Sequence, residues 1–167
     1  MAKRVSVLII SVSIIIDRLT KIFAVKYTAS HGARRFLFGA FNFTYVENKG
    51  AAFSSFSGNT VVLTVITSAI VLGCLVYLFA NKSKNKFVDF TLALIISGGI
   101  GNLIDRISKG YVVDFIEPLF INFAVFNFAD CCITVGAFAL AIYEIVSSFK
   151  RSDKPAVKTD GGDGDAG

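Results

Sequence analysis

The residues with the most chemistry to offer lie between Gly98 and Asp130, in the run GGIGNLIDRISKGYVVDFIEPLFINFAVFNFAD. It carries the carboxylates Asp105, Asp114 and Asp130, the amides Asn102 and Asn127, and Arg106, all at the edges of strongly apolar sequence. Polar groups are costly in such surroundings and mark candidate functional sites. Asp114 sits among Val112, Val113 and Phe115, and Asp130 stands beside Ala129 and Cys131 in the first turns of an apolar segment. The nearest cation in sequence to Asp114 is Lys109, apart from Arg106 further back. Two carboxyls brought together cannot both ionise easily, so they share a proton. One can then take a proton from water while the other gives one to a carbonyl, which is hydrolytic acid and base chemistry. Structural roles compete with this. Asp130 could cap a helix, a task Asn127 could equally perform, and Asp114 could pair with Arg106 or Lys109.

These residues must be positioned by membrane-type elements. The 167-residue chain is 54% hydrophobic and 17% charged, with a mean hydropathy of +0.66. A soluble domain carries about 25% charged residues. The net charge of +5 falls in clumps between apolar runs, where it speaks to loop orientation. No stripe of basic and aromatic residues suggests a nucleic-acid partner. Cys74, Cys131 and Cys132 lie in apolar segments without ligand spacing, and His31 has no second imidazole nearby. No metal and no cofactor are expected from this residue set.

Apolar runs at about 5–25, 60–80, 87–107 and 126–149 are each long enough to cross roughly 30 Å of hydrocarbon. The expected fold is therefore an α-helical integral membrane protein with four transmembrane helices, forming a single membrane-embedded domain over 1–149. The first run follows MAKR and resembles a signal peptide, but lacks an A-x-A cleavage site and is expected to be retained. Nine Lys and Arg residues (Lys3, Arg4, Lys82, Lys84, Lys86, Lys150, Arg151, Lys154, Lys158) fall on the side of the termini, against five (Lys26, Arg34, Arg35, Lys49, Lys109) on the other. Both termini are thus expected to be cytoplasmic, with the carboxylates at the outer face. In the outer loop at 26–59, the alternation of Phe36, Phe38, Phe41, Phe43 and Tyr45 predicts strands around a turn or bulge across Gly39 and Ala40. A small extracytoplasmic β-sheet built from this loop should lie against the membrane, and LFINFAVFNF is a candidate extra strand. The polar, Gly-rich stretch at 150–167 is expected to be a disordered tail.

Other polar residues point the same way. Asp17 and Lys21 are four apart, on one face of the first helix, and suit a buried ion pair. The segment Asn48-Lys49-Gly50-Ala51-Ala52-Phe53 suits a turn in which backbone approaches another chain. Gly98, Gly99 and Gly101 suit close helix packing. Asn102 and the Asp105–Arg106 pair suit a network bracing the loops or aligning a substrate.

Five blocks in order, DRLTK, NKGAAFS, GGIGNLIDR, VVDF and FNFAD, together resemble bacterial lipoprotein signal peptidase, an aspartic peptidase of the inner membrane. The resemblance covers about residues 5–149. It implies that Asp114 and Asp130 form the catalytic dyad, that Asn48, Gly50, Asn102, Arg106 and Asn127 line the site or hold substrate backbone, and that Asp17 and Lys21 support it from the first helix, while Asp105 keeps the bracing or aligning role read from its position. It implies a substrate, a prolipoprotein whose Cys carries a diacylglyceryl group, cut just before that Cys by a protein working as a monomer amid membrane lipid. A transporter relaying protons through Asp17, Lys21, Asp105, Asp114 and Asp130 is the main alternative, weakened by the clustering of these residues toward one face. A scaffold without chemistry is the third.

Overall fold

The computed structural model describes residues 3–50, 59–80 and 85–152. Four helices, α1 (Lys3–His31), α2 (Thr60–Ala80), α3 (Lys86–Lys109) and α4 (Phe128–Ser152), accompany three strands, β1 (Arg34–Phe36), β2 (Phe41–Asn48) and β3 (Val112–Pro118). A helix satisfies its own backbone, which is what apolar surroundings demand. Helices α2, α3 and α4 are long and apolar enough to cross a membrane, whereas α1 is interrupted by Asp17, Arg18 and Lys21.

Helix α3 is the central post. It packs against α1, α2 and α4, and most of its length is buried. Val71 and Leu78 of α2 meet Val88, Leu92 and Ile96 of α3 in the main apolar cluster. Three glycines let neighbours reach the α3 backbone, Gly99 admitting Val71 of α2, where a Cβ would lie 2.4 Å from Val71 Cγ2. A Cβ at Gly98 would lie 2.3 Å from the Ala129 carbonyl oxygen, and one at Gly101 would lie 2.7 Å from Asp17 Oδ2. The start of α4 and a carboxylate of α1 are therefore drawn against the same stretch of α3. Asn85 caps the first turn of α3 through the N–H groups of Phe87 and Val88, and Gly110, with φ of 81°, ends the helix by donating to the Arg106 carbonyl. That left-handed turn delivers the chain directly into β3.

The sheet has the order β1-β2-β3, antiparallel throughout. Phe36 faces Phe41 across the hairpin, Phe43 faces Ile116, and a register shift between Phe43 and Val46 sets Val46 opposite Asp114. The Phe43 ring packs on Phe23 and Tyr27 of α1, at 5.9 and 5.5 Å, and on Phe115 at 5.5 Å. This aromatic seam seats the sheet over α1 and fixes the strand that carries Asp114.

The structure departs from the sequence expectations at several boundaries. Helix α1 does not stop near Val25 but continues to His31, because Tyr27 stacks between Phe23 and His31 and so gives the extra turns a packed face. The sheet is not built from the first outer loop alone, and its third strand is Val112–Pro118, the run rich in β-branched residues, not LFINFAVFNF. That later segment contributes a single bridge, Phe126 to Ile116. Helix α3 gains residues at both ends, and α4 begins at Phe128, because Asn127 is occupied in capping it. The turn near Gly39 and Ala40 is present, but the bulge lies further on, at 43–46. Helix α4 runs on to Ser152, so the first three residues of the expected tail at 150–167 are helical, and the expectations for 51–58, 81–84 and 153–167 lie outside the described residues.

The β1–β2 turn holds Leu37 and Phe38 at φ of 48° and 55°, with Leu37 59% exposed and Phe38 fully exposed. The left-handed region costs an ordinary residue roughly 1–2 kcal/mol, and Asn and Gly escape most of it. Replacing Leu37→Asn together with Phe38→Gly should therefore raise the thermal unfolding midpoint in detergent by a few degrees, at about 2–4 °C per kcal/mol. An unchanged or lower midpoint would show that these side chains stabilise the fold by more than the backbone strain they impose.

Candidate active site

A buried ion network comes first, because it positions everything above it. Lys21 Nζ lies 3.1 Å from Asp17 Oδ2, 3.0 Å from Asp105 Oδ2 and 3.0 Å from Asn102 Oδ1, which uses all three ammonium protons. Arg18 bridges the same carboxylates, at 2.6 Å to Asp17 and 2.8 Å to Asp105, and donates to the Gly101 carbonyl at 2.8 Å. Lys109 adds a third cation, 3.1 Å from Asp105. The other Asp17 oxygen accepts the Ala129 N–H in the first turn of α4, at 3.2 Å, and Asp105 Oδ2 accepts the Val113 N–H at 3.3 Å. One network thus ties α1 to α3, to the start of α4 and to β3.

Above it lie three side-chain amides, each turned so that its NH₂ faces a carboxylate. Asn102 must present its carbonyl to Lys21, which only donates, so its Nδ2 meets Asp130 Oδ1 at 2.7 Å. Asn127 accepts the Asp130 N–H at 3.0 Å, leaving Nδ2 to donate to Asp114 Oδ1 at 2.6 Å and to Asn102 Oδ1 at 3.3 Å. Asn48 accepts the Gly50 N–H at 2.9 Å and donates to Asp114 Oδ2 at 2.8 Å. Asp130 Oδ2 returns the capping bond by accepting the Asn127 N–H at 3.1 Å, a reciprocal cap of the kind that starts helices. The capping role weighed for Asp130 and Asn127 is real, and it is what holds the two residues in place.

Asp114 and Asp130 share the bonding partner Asn127 and repel one another electrostatically. Burial, then the neighbouring Asp130 charge, pushes the Asp114 carboxyl up to about 6, against the amide hydrogen bonds from Asn48 and Asn127 and the charge of Lys21. Asp114 is not paired with Lys109, which goes to Asp105, and Asp105 does not pair with Arg106. Arg106 instead lines a groove of about 480 Å³ with Asn48, Gly50 and Asp130, within electrostatic reach of both carboxylates. The groove is walled by Phe123–Phe126 on one side and by Cys131, Thr134 and neighbours of α4 on the other. A polar head with two carboxyls and a guanidinium thus opens into an apolar trough.

The residues expected to form the site fall in this one cluster: Asp114 and Asp130 at its centre, Asp17, Lys21 and Asp105 in the ion network, Asn102, Asn48 and Asn127 in the amide layer, Gly50 bracing Asn48, and Arg106 on the groove. Arg18 was missed, although the argument that picked out Asp17 and Lys21 applies to it: a guanidinium inside an apolar helix must have partners. Among the described residues, no group of three His, Cys, Asp or Glu converges as metal ligands would.

The family model for signal peptidase (SPase) II matches residues 9–146. A lipoprotein signal peptidase from Clostridium acetobutylicum is 37% identical over 151 residues, covering 89% of this chain and 98% of its own, and one from Caldanaerobacter subterraneus is 43% identical over 136 residues, covering 81% and 92%. Among solved structures, a bacterial membrane enzyme determined in meso at 2.3 Å superposes with a TM-score of 0.78 at 28% identity, covering 90% of this chain and 93% of that one. A family match across most of the chain, containing the full polar cluster, places this protein in the signal peptidase II family.

Proposed function

We propose that the protein is an intramembrane aspartic endopeptidase that removes the signal peptide from diacylglyceryl-modified prolipoproteins, cutting just before the lipidated Cys. The observation that carries this reading is the pair Asp114 and Asp130, bonded to opposite ends of one capping motif and faced by three amide donors at the mouth of an apolar groove. Family membership supports the substrate class, and the groove suits a chain that arrives from lipid.

The dyad holds one proton between two carboxyls. The ionised member takes a proton from water as the water oxygen attacks the scissile carbonyl carbon, and the protonated member donates to the carbonyl oxygen. The tetrahedral diol collapses as the C–N bond breaks and the amine leaves with a proton from the dyad. Asn48, Asn102 and Asn127 keep the carboxylates oriented throughout, since their own carbonyls are committed elsewhere. Arg106 is free of ion pairs among the described residues and stands ready to bind a substrate carbonyl.

Four membrane crossings, with both termini cytoplasmic and the sheet outside, set the dyad at the outer surface of the bacterial inner membrane. Helix α1, roughly 43 Å long at 1.5 Å per residue, exceeds the hydrocarbon thickness and lifts the sheet clear of it. A lipid-anchored precursor presents its modified Cys at that same height. The protein works as a monomer, with membrane lipid and the precursor as its partners.

Asp114→Asn and Asp130→Asn should each lower kcat on a lipidated precursor by on the order of 10³-fold or more while the protein still folds. Near-normal turnover by either variant would remove that residue from the dyad. The pH profile supplies a second check. Loss of the shared proton sets the alkaline limb of kcat/KM, and Asn48 donates to ionised Asp114, so Asn48→Ala should raise the Asp114 pKa and move that limb to higher pH. A limb that stays put or moves to lower pH would contradict this. Because folding raises this carboxyl from 3.8 to about 6, its contribution to stability is complete below the ordinary carboxylate range and is lost as pH rises through about 6.

A further inference from the structure

The wall of the groove facing α4 is formed by the segment 123–126, which runs beside β3 without being a full strand. Phe126 is its anchor: the Phe126 N–H donates to the Ile116 carbonyl at 3.0 Å, and the Phe126 carbonyl accepts from Ile116 and Phe115 at 2.9 and 3.1 Å. Both backbone groups of Phe126 therefore turn toward β3. In extended chain, successive residues turn their backbone groups to opposite sides. By that alternation those of Val125 are left on the side away from β3, and Val125 lines the groove together with Asp130 and Arg106. Neither the N–H nor the carbonyl of Val125 makes a hydrogen bond among the described residues. A half-buried donor and acceptor left open beside an apolar trough call for a partner.

We propose that Val125 is a backbone docking point for the substrate. The peptide next to the scissile bond lies extended along 123–126 as an added strand, and one of its residues exchanges two hydrogen bonds with Val125, N–H to carbonyl in each direction. This inference rests on the peptidase reading above and deepens it. Main-chain pairing accepts many sequences, so it holds precursors that differ in side chain. The same chain passes from Val125 through Phe126 into Asn127, the cap of α4, so docked backbone is held in register with Asp130 three residues on. Alternate substrate side chains then point toward Cys131 and Thr134 on the far wall, which leaves room for small ones.

The test is an N-methyl scan: one short diacylglyceryl-Cys peptide with a single backbone N–H blocked at each position in turn, cleaved by the wild type, Val125→Pro and Val125→Ala. In the wild type, one position should raise KM about five- to tenfold, the effect of losing roughly one hydrogen bond, while the residues on either side should not. Val125→Pro, which removes the N–H, should raise KM for the unblocked peptide by a similar factor, with kcat within about threefold. It should also shrink the penalty at the sensitive position at least threefold. Val125→Ala keeps both backbone groups and should show the full penalty. A wild type that cuts the peptide with no sensitive position, or a proline variant with an unchanged KM, would overturn the docking point and leave the peptidase reading standing. If Val125→Pro fails to fold, the scan on the wild type decides alone. Failure of the wild type to cut any lipidated peptide would instead overturn the peptidase reading.

Discussion

The orientation of the polar cluster depends on a single buried ammonium. Lys21 has three protons and three acceptors, two of them carboxylates on different helices and the third the carbonyl of Asn102. Burying a charge is tolerable only when its partners are complete, and here completeness does more than balance charge. Since an ammonium only donates, it fixes which end of Asn102 points down and hence which end meets Asp130. The polarity of the layer above is inherited from that choice, because Asn127 in turn donates to Asn102 Oδ1 and to Asp114.

In the proposed mechanism, this arrangement separates two jobs that the pair Asp114 and Asp130 must reconcile. The carboxyls must be buried and close enough for one to hold a proton near neutral pH, yet each must stay fixed in orientation while its charge changes. Amides meet both demands, for they donate without adding a charge that would strip the proton away. Gly98 and Gly101 make the stacking possible by admitting α4 and Asp17 to the α3 backbone. The aromatic seam through Phe43 then closes the sheet over the top, so that Asp114 arrives on a strand and not on a free loop.

Much of this was legible in the sequence, for identifiable reasons. Hydropathy located the long apolar helices, and the cost of polar groups in apolar sequence picked out Asp114, Asp130 and their amide neighbours. Alternating aromatics announced the hairpin. What stayed hidden was set by contacts far apart in the chain. The extension of α1 to His31 depends on ring stacking and packing against Phe43, which local composition does not reveal. The aromatic-rich 119–128 is a candidate extra strand by composition, but Val112–Pro118 takes that place, because pairing with β2 selects the segment delivered first by the Gly110 turn. The division of cations, Lys109 to Asp105 and Arg106 to the groove, is likewise a matter of helix rotation that sequence spacing left open.

The most direct test of the account is the turnover number of Lys21→Met on a lipidated precursor. Methionine fills the space without donating, and Asp17 and Asp105 keep Arg18 and Lys109 as partners, so the two carboxylates remain matched by two cations and the fold should persist. With only the 3.3 Å bond from Asn127 Nδ2 left on its carbonyl, Asn102 loses the ammonium that enforces its orientation toward Asp130. The account predicts a folded protein whose kcat falls by on the order of 100-fold, the scale seen when an oriented donor is removed from a reaction centre. A folded Lys21→Met variant with near-normal kcat would contradict it.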